Sequence, residues 1–279
     1  MIFPSPMALI FLFVIQIPIF ATSCLSEGME YPIGVVASPD GSLFVADRNL
    51  PGIWKMDQGK PTIYFQGSKK FRTPLNAVRC LAMDAKGVLY AGDSATREVY
   101  RFDESGQPQP LTSGGIGIPM AMSFDSKGNL FVADLELHCI YQIPSGGGPV
   151  TEYAKVQAPR GIAVDGQDRV WVLSSSKQPV IRFDENRKSE VIVGEPVFEF
   201  ANQMAVDSKG NAYVCDGYAK AVWKIPVGGK PEKMVSGDPL NNPVGLAVVQ
   251  DRLLIADPRQ KNVFSLPLEG DKTLQSVLK

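Results

Sequence analysis

Apolar positions along this chain fall in short runs, alternating or continuous, separated by Gly, Pro, Asp and Asn. Runs of that kind predict strands bounded by turns rather than helices. The runs also repeat. With the turn residue of Ser38-Pro39-Asp40-Gly41 as anchor, equivalent positions are Gly41, Gly87, Gly128, Asp168, Gly210 and Asp251, separated by 46, 41, 40, 42 and 41 residues. Six residues after the anchors stand Asp47, Asp93, Asp134, Ser174, Asp216 and Asp257, and six further on stand Ile53, Val99, Ile140, Val180, Val222 and Val263.

One unit shows the grammar. Gly161-Ile162-Ala163-Val164 is a buried strand, and Val170-Trp171-Val172 is its partner across a turn at Asp165 to Asp168. Val180-Ile181-Arg182-Phe183 and Ser189-Glu190-Val191-Ile192-Val193 supply a third and a fourth. Four strands per period of about 42 residues is the arithmetic of a β-propeller blade. The chain is therefore expected to be all-β, a six-bladed β-propeller of four-stranded antiparallel blades over residues 31–279, with no second domain. A lone blade cannot bury both faces, so the blades must stack around an axis and close. Residues 24–30 are too few for a strand of the last blade, so blade six should come from residues 243–279, with 273–278 as its outer strand. Side-chain packing alone would then seal blade six against blade one.

Composition narrows the function. Lys+Arg 28 against Asp+Glu 29 gives a net charge of −1, which lacks the basic footprint of a nucleic-acid binder. A single His, His138, rules out sites built on several histidines. Four Cys are too few for a disulfide scaffold and are not spaced as zinc pairs. Cys80, Cys139 and Cys215 fall in different blades and are expected to be buried free thiols. No cofactor is implied.

The N-terminus reads as a targeting segment. Residues 7–20 are almost wholly apolar, too short to span a hydrocarbon core of roughly 30 Å but suited to a signal h-region. Ala21-Thr22-Ser23 predicts cleavage of residues 1–23 before Cys24, although no Lys or Arg precedes the apolar run. An uncleaved anchor is the alternative. Cys24 stands where a bacterial lipoprotein carries its lipid, but the usual Leu three residues before it is missing. The expected location is exported: periplasmic, envelope-attached or extracellular. Membrane contact would come only through such a lipid, and the chain is expected to be a monomer.

The stretches Pro159-Arg160-Gly161-Ile162-Ala163-Val164-Asp165, Phe124-Asp125-Ser126-Lys127-Gly128-Asn129-Leu130-Phe131-Val132-Ala133-Asp134 and Asp207-Ser208-Lys209-Gly210-Asn211-Ala212-Tyr213-Val214-Cys215-Asp216 resemble the NHL repeat, as does Pro32-Ile33-Gly34-Val35. The resemblance covers roughly nine-tenths of the chain and implies architecture, not activity. The senescence marker protein and gluconolactonase group shares the six-bladed plan and holds a divalent cation with Glu, Asn and Asp at the start of the innermost strands. Here those starts read Pro32-Ile33-Gly34, Val78-Arg79-Cys80, Pro119-Met120-Ala121, Pro159-Arg160-Gly161, Ala201-Asn202-Gln203 and Pro243-Val244-Gly245. Only Asn202 matches that ligand set, Glu30 is out of register, and two Arg would oppose a cation. Peptidylglycine-type and virginiamycin-type lyases use histidines that this chain lacks.

Residues kept in every unit are best explained by what every blade needs. The Asp that ends each second strand is expected to accept backbone N–H groups in a turn. Asp93-Ser94 and Ser174-Ser175-Ser176-Lys177 superficially resemble hydrolase motifs but fall on the ordinary loop after the second strand. Exceptions to the repeat are the candidates. The second residue of each link, Ile33, Arg79, Met120, Arg160, Asn202 and Val244, should ring the channel mouth. Arg79, Arg160 and Asn202, with Met120 beside them, suit a small anionic ligand or the acidic side chain of a protein partner. The plainer alternative is that both Arg pair with ring Asp residues. The longer first link adds Lys69-Lys70-Phe71-Arg72, whose Lys70 and Arg72 should lie on the same face. Phe198 and Phe200 are expected to pack, and His138 to sit on a surface loop. Two functions follow: a protein- or ligand-binding module using the mouth, or a gluconolactonase-like hydrolase or lyase using the same place.

Overall fold

The computed structural model describes Met1 and residues 28–70, 72–145 and 147–279; the expected signal segment and Cys24 lie outside the described residues. Twenty-four strands form six separate four-stranded antiparallel sheets in simple up-and-down order. Blade one holds β1(Pro32–Ala37), β2(Leu43–Asp47), β3(Gly52–Asp57) and β4(Lys60–Gln66); blade two holds β5(Val78–Met83), β6(Leu89–Asp93), β7(Glu98–Phe102) and β8(Pro108–Pro110). Blade three runs β9(Pro119–Phe124) to β12(Thr151–Lys155), blade four β13(Pro159–Val164) to β16(Ser189–Val193), and blade five β17(Ala201–Val206) to β20(Glu232–Ser236). Blade six, β21(Gly245–Val249) to β24(Gln275–Ser276), is built wholly from the C-terminal segment, and its outer strand pairs over less than the expected 273–278.

The anchor turns form because their residues accept left-handed backbone. Gly41, Gly87, Gly128 and Gly210 have φ between 81° and 86°, and Asp168 has 57°. Blade six departs from this: Val249 pairs directly with Arg252, leaving two residues in the turn where Val164 and Val170 of blade four enclose five, and Gln250 takes the positive φ of 54° instead of Asp251.

The hydrophobic core is six cores. Each is a face-to-face contact between neighbouring sheets, as sheet packing requires. Phe44, Ile53, Leu81 and Tyr100 join blades one and two; Val99, Met122 and Leu130 join two and three; Phe131, Ile162 and Phe183 join three and four. Trp171, Leu173, Met204 and Val214 join four and five, and Tyr213, Leu246, Ile255 and Phe264 join five and six. The sixth closes the ring: Val35, Val45, Trp54 and Met56 of blade one pack on Leu254, Ala256 and Val263 of blade six. Among the described residues no strand is exchanged at this seam; Lys279 N donates to Gly59 O at 3.1 Å, and Lys261 pairs with Glu30 at 2.6 Å. Side-chain packing seals the ring, as the strand arithmetic predicts.

The repeated aspartates are completely buried and hold the links. Asp47 accepts from the amides of Glu30, Tyr31, Asn49 and Leu50 and from Trp54 Nε1, at 2.7 to 3.2 Å. Asp216 accepts from the amides of Glu199, Phe200 and Ala219, and Asp257 from those of Asn241, Asn242, Arg259 and Gln260. One carboxylate thus ties the incoming link to the loop that leaves its own strand. Blade four has Ser174 here, too short to do this; the link amide of Ala158 donates instead to His138 Nδ1 of the preceding blade, at 3.1 Å. The only histidine of the chain, exposed as expected, therefore serves as a backbone acceptor where the aspartate is missing.

Replacing Asp216 by Ala leaves three amides without a buried acceptor. At about 1–3 kcal/mol for each unsatisfied group, the loss should be about 3 kcal/mol or more, read as a lower urea midpoint. A pH effect also follows. Burial raises Asp165 and Asp207, but hydrogen bonds outweigh it: Trp171, Arg169 and local amides hold one, and Asn211, Tyr213 and Lys209 N the other, below the ordinary value of 3.8. Folded values below unfolded ones stabilise fully above that point, and the stabilisation disappears as pH falls through the lowered values. Thermal melts taken from neutral pH down to about 2 should show the steepest loss there, and Asp165→Asn should flatten it.

Candidate functional site

The links and the loops after the second strands open on one face, and the ladder itself aims their side chains. In blades one, two, four and five the pairing jumps between the first and third residues of the inner strand: Pro32 pairs Asp47 and Gly34 pairs Ala46, with Ile33 left over. The same slip leaves Arg79, Arg160 and Asn202 unpaired, and in blade three Met120. A β-bulge of this kind turns the extra residue out of the sheet. All five, with Val244 of blade six, line an axial cavity of about 1000 Å³. The loops after the second strands add Arg48, Tyr218 and Arg259, and the links add Tyr31, Phe200 and Asn242.

Four arginines therefore face one mouth: Arg48, Arg79, Arg160 and Arg259. Among the described residues none of them forms a salt bridge. The one carboxylate lining the cavity, Asp84, lies at the opposite end, where it accepts amides of its own turn. Arg79 and Arg160 are held alike. Arg79 Nε donates to Ser94 Oγ at 3.0 Å and Arg160 Nε to Ser175 Oγ at 2.6 Å, both fifteen residues on. Each serine follows the ring position, Asp93 or Ser174, so the same loop holds the Nε of each guanidinium at the mouth. Burial, then the charge of Arg48, lowers Arg79 from its ordinary value, and burial does the same to Arg160. Both stay cationic at neutral pH.

An aromatic surface completes the mouth. Arg160 lies 4.5 Å from the centroid of Phe200, and Tyr218 stacks on the same ring at 4.6 Å and 19° while remaining 65% exposed. Asn202 Nδ2 donates to Phe200 O at 3.0 Å, which fixes its side chain at the rim. A Cβ on Gly217 would come within 2.5 Å of Asn242 Oδ1 and 3.1 Å of Asn202 Nδ2, so glycine there is what admits both amides. A side pocket of about 390 Å³, lined by Ser174, Ser175, Ser176, Lys177 and Phe198, opens behind Arg160.

Of the residues singled out in the sequence, Arg79, Arg160, Asn202 and Met120 come together at the mouth, while Lys70 and Arg72 do not line it. The first link instead folds on itself: Thr73 Oγ1 and Asn76 Nδ2 both donate to Ser68 O and Lys70 O. The arginines pair with serines rather than with ring aspartates, because those carboxylates are used up by amides. Phe198 packs on Trp223 as expected, but Phe200 belongs to the mouth. Arg48, Arg259 and Tyr218 escaped the sequence reading, although the loops that carry them were already assigned to this face. Cys80, Cys139 and Cys215 are buried and unpaired, and burial pushes the thiols of Cys80 and Cys215 up to about 12.

No family model matches the chain. No curated protein matches it either. Solved structures do. A gluconolactonase from Xanthomonas campestris aligns with a TM-score of 0.74 at 16% identity, over 86% of this chain and 87% of that one. A virginiamycin B lyase from Staphylococcus aureus aligns at 0.65 and 15% identity, over 90% and 85%. A chain of a nidogen/laminin complex aligns at 0.66 and 16%, over 85% and 89%. The fold is shared. At these identities the likeness extends to the propeller and no further.

The mouth does not suit the divalent cation that the gluconolactonase group implies. Among the described residues no three His, Cys, Asp or Glu side chains converge as ligands. Glu30 is engaged with Lys261, the ring carboxylates with amides, and Asn202 is surrounded by guanidinium charge. In the lyase from Staphylococcus aureus, replacement of a histidine gives a catalytically inactive protein; here the sole histidine is committed to Ala158 N. A bound cation would raise stability by mass action, about 2.7 kcal/mol at a hundredfold excess over its dissociation constant. Thermal melts with calcium, zinc or EDTA should superimpose; a cation-dependent rise would reverse this reading of the donor set.

Proposed function

We propose that this chain is an exported, NHL-type binding module that captures a small anionic ligand at its channel mouth. The observation that carries this is the set of four arginines lining one end of the cavity, none of them in a salt bridge among the described residues and with no carboxylate in the lining of that end. Guanidinium forks hold carboxylates and phosphates with paired hydrogen bonds, and a concave site with low-dielectric walls concentrates their field. Mutual repulsion of like charges without a counter-ion costs stability, so the arrangement makes physical sense when an anion is the missing partner. Serine tethers on Arg79 and Arg160 reduce the freedom lost on binding. Capture is favoured over turnover because no imidazole or free carboxylate reaches the mouth among the described residues. The leader over residues 1–23 would deliver the module outside the cytoplasm, with or without a lipid on Cys24.

Calorimetric titration with citrate, succinate and inorganic phosphate tests this at low ionic strength. Arg79→Ala and Arg160→Ala should each weaken binding roughly tenfold to a hundredfold, the range expected for one lost charge-assisted hydrogen bond of about 1.5–3 kcal/mol. Added salt should weaken the native protein in parallel. Unchanged binding in the double variant, with its melting temperature preserved, would move the ligand site elsewhere.

A further inference from the structure

We infer that the ligand is a linear dianion, such as an α,ω-dicarboxylate, lying across the mouth with one charged end in each of two unequal cradles. This rests on the reading of the mouth as an anion site and adds the distribution of charge around it. The six sheets follow one another around the ring in chain order, and the closing core joins six to one, so blades one and four stand opposite each other. Arg259 comes from blade six, Arg48 from blade one and Arg79 from blade two: three guanidinium groups on adjacent blades. Arg160 comes from blade four, across the channel, with Phe200 and Tyr218 against it. A two-headed anion can engage both cradles, one charged group in each.

The blades between the two cradles, three and five, present Met120 and Asn202 at the mouth, one apolar side chain and one amide, with Met122, Ile162 and Leu246 deeper in the cavity. A ligand spanning the mouth therefore meets a thioether on one side and an amide on the other, while its charged ends face the guanidinium groups.

The experiment is a calorimetric series of dicarboxylates from malonate to sebacate, each compared with the monocarboxylate of equal chain length. Joining two cradles through one molecule makes the second contact intramolecular, so the best-fitting dicarboxylate should bind at least about tenfold tighter than its monocarboxylate. Affinity should peak at one chain length. Arg160→Gln, which removes the charge and keeps a polar side chain, should bring the ratio to within about twofold, and Lys127→Ala on the opposite face should leave it as it is. Monocarboxylates binding as tightly as dicarboxylates at every length would overturn the two-cradle assignment and leave the anion site standing. Absence of binding by any carboxylate at low salt would overturn both.

Discussion

The structure depends on a buried carboxylate gripping two pieces of backbone at once. Where five of the six second strands end, an aspartate with no exposure to water binds the amides of the link that is arriving and those of the loop that is departing. Neither piece has regular secondary structure of its own. Without that clamp both would be free loops, and the bulged residue between them would have no fixed direction. With it, a one-residue slip in the ladder becomes a repeated device for sending a side chain into the channel. The clamp is charged and the bulged residue is not part of it, so the identity of that residue is released from the demands of folding.

The mouth draws its character from this separation. A six-fold scaffold would give a symmetric rim if every blade presented the same side chain. Here the rim reads Ile33, Arg79, Met120, Arg160, Asn202 and Val244 on an almost uniform frame. Further asymmetry enters through the loops after the second strands, which line the cavity with Arg48, Arg259 and Tyr218 in blades one, six and five and do not reach it in the other three. The result is a channel with an electrical direction, cationic at one end and bearing a lone acidic turn residue, Asp84, at the other.

Much of this was legible in the amino-acid sequence because it repeats. Six copies of an anchor, with an aspartate at constant offset in five and a serine in the other, locate every second strand, and residues at equal positions in the repeat must occupy equal positions in space. That is why Arg79, Arg160, Asn202 and Met120 could be assigned to one ring before any coordinates. The reasoning failed where position in the repeat does not determine direction. Lys70 and Arg72 lie on the right face, but the first link curls over its own Ser68 and Lys70 carbonyls instead of reaching the axis. Arg48 and Arg259 follow the clamp by one and two residues, in loops whose shape varies between blades. Ser94 and Ser175 looked like fragments of a catalytic motif, yet they steady the two arginines fifteen residues before them; an Arg and a Ser at that spacing in two blades was the available signal. The substitution of His138 for an aspartate crosses between blades, and no local pattern announces it.

The seam between blades six and one has a wider meaning. It is joined by the same sort of face-to-face apolar contact as the other five boundaries, with one backbone hydrogen bond and one ion pair across it and, among the described residues, no exchanged strand to mark it. Such a ring has no intrinsic origin. Cutting the chain in any link and fusing the present ends would yield a circular permutant with the same six joints, differing only in which one lacks a covalent crossing. The order in which the blades are synthesised is, in that sense, an accident of where the reading frame opens. What must be conserved under permutation is the cyclic order of the rim residues, since that order alone decides which side chains face each other across the channel.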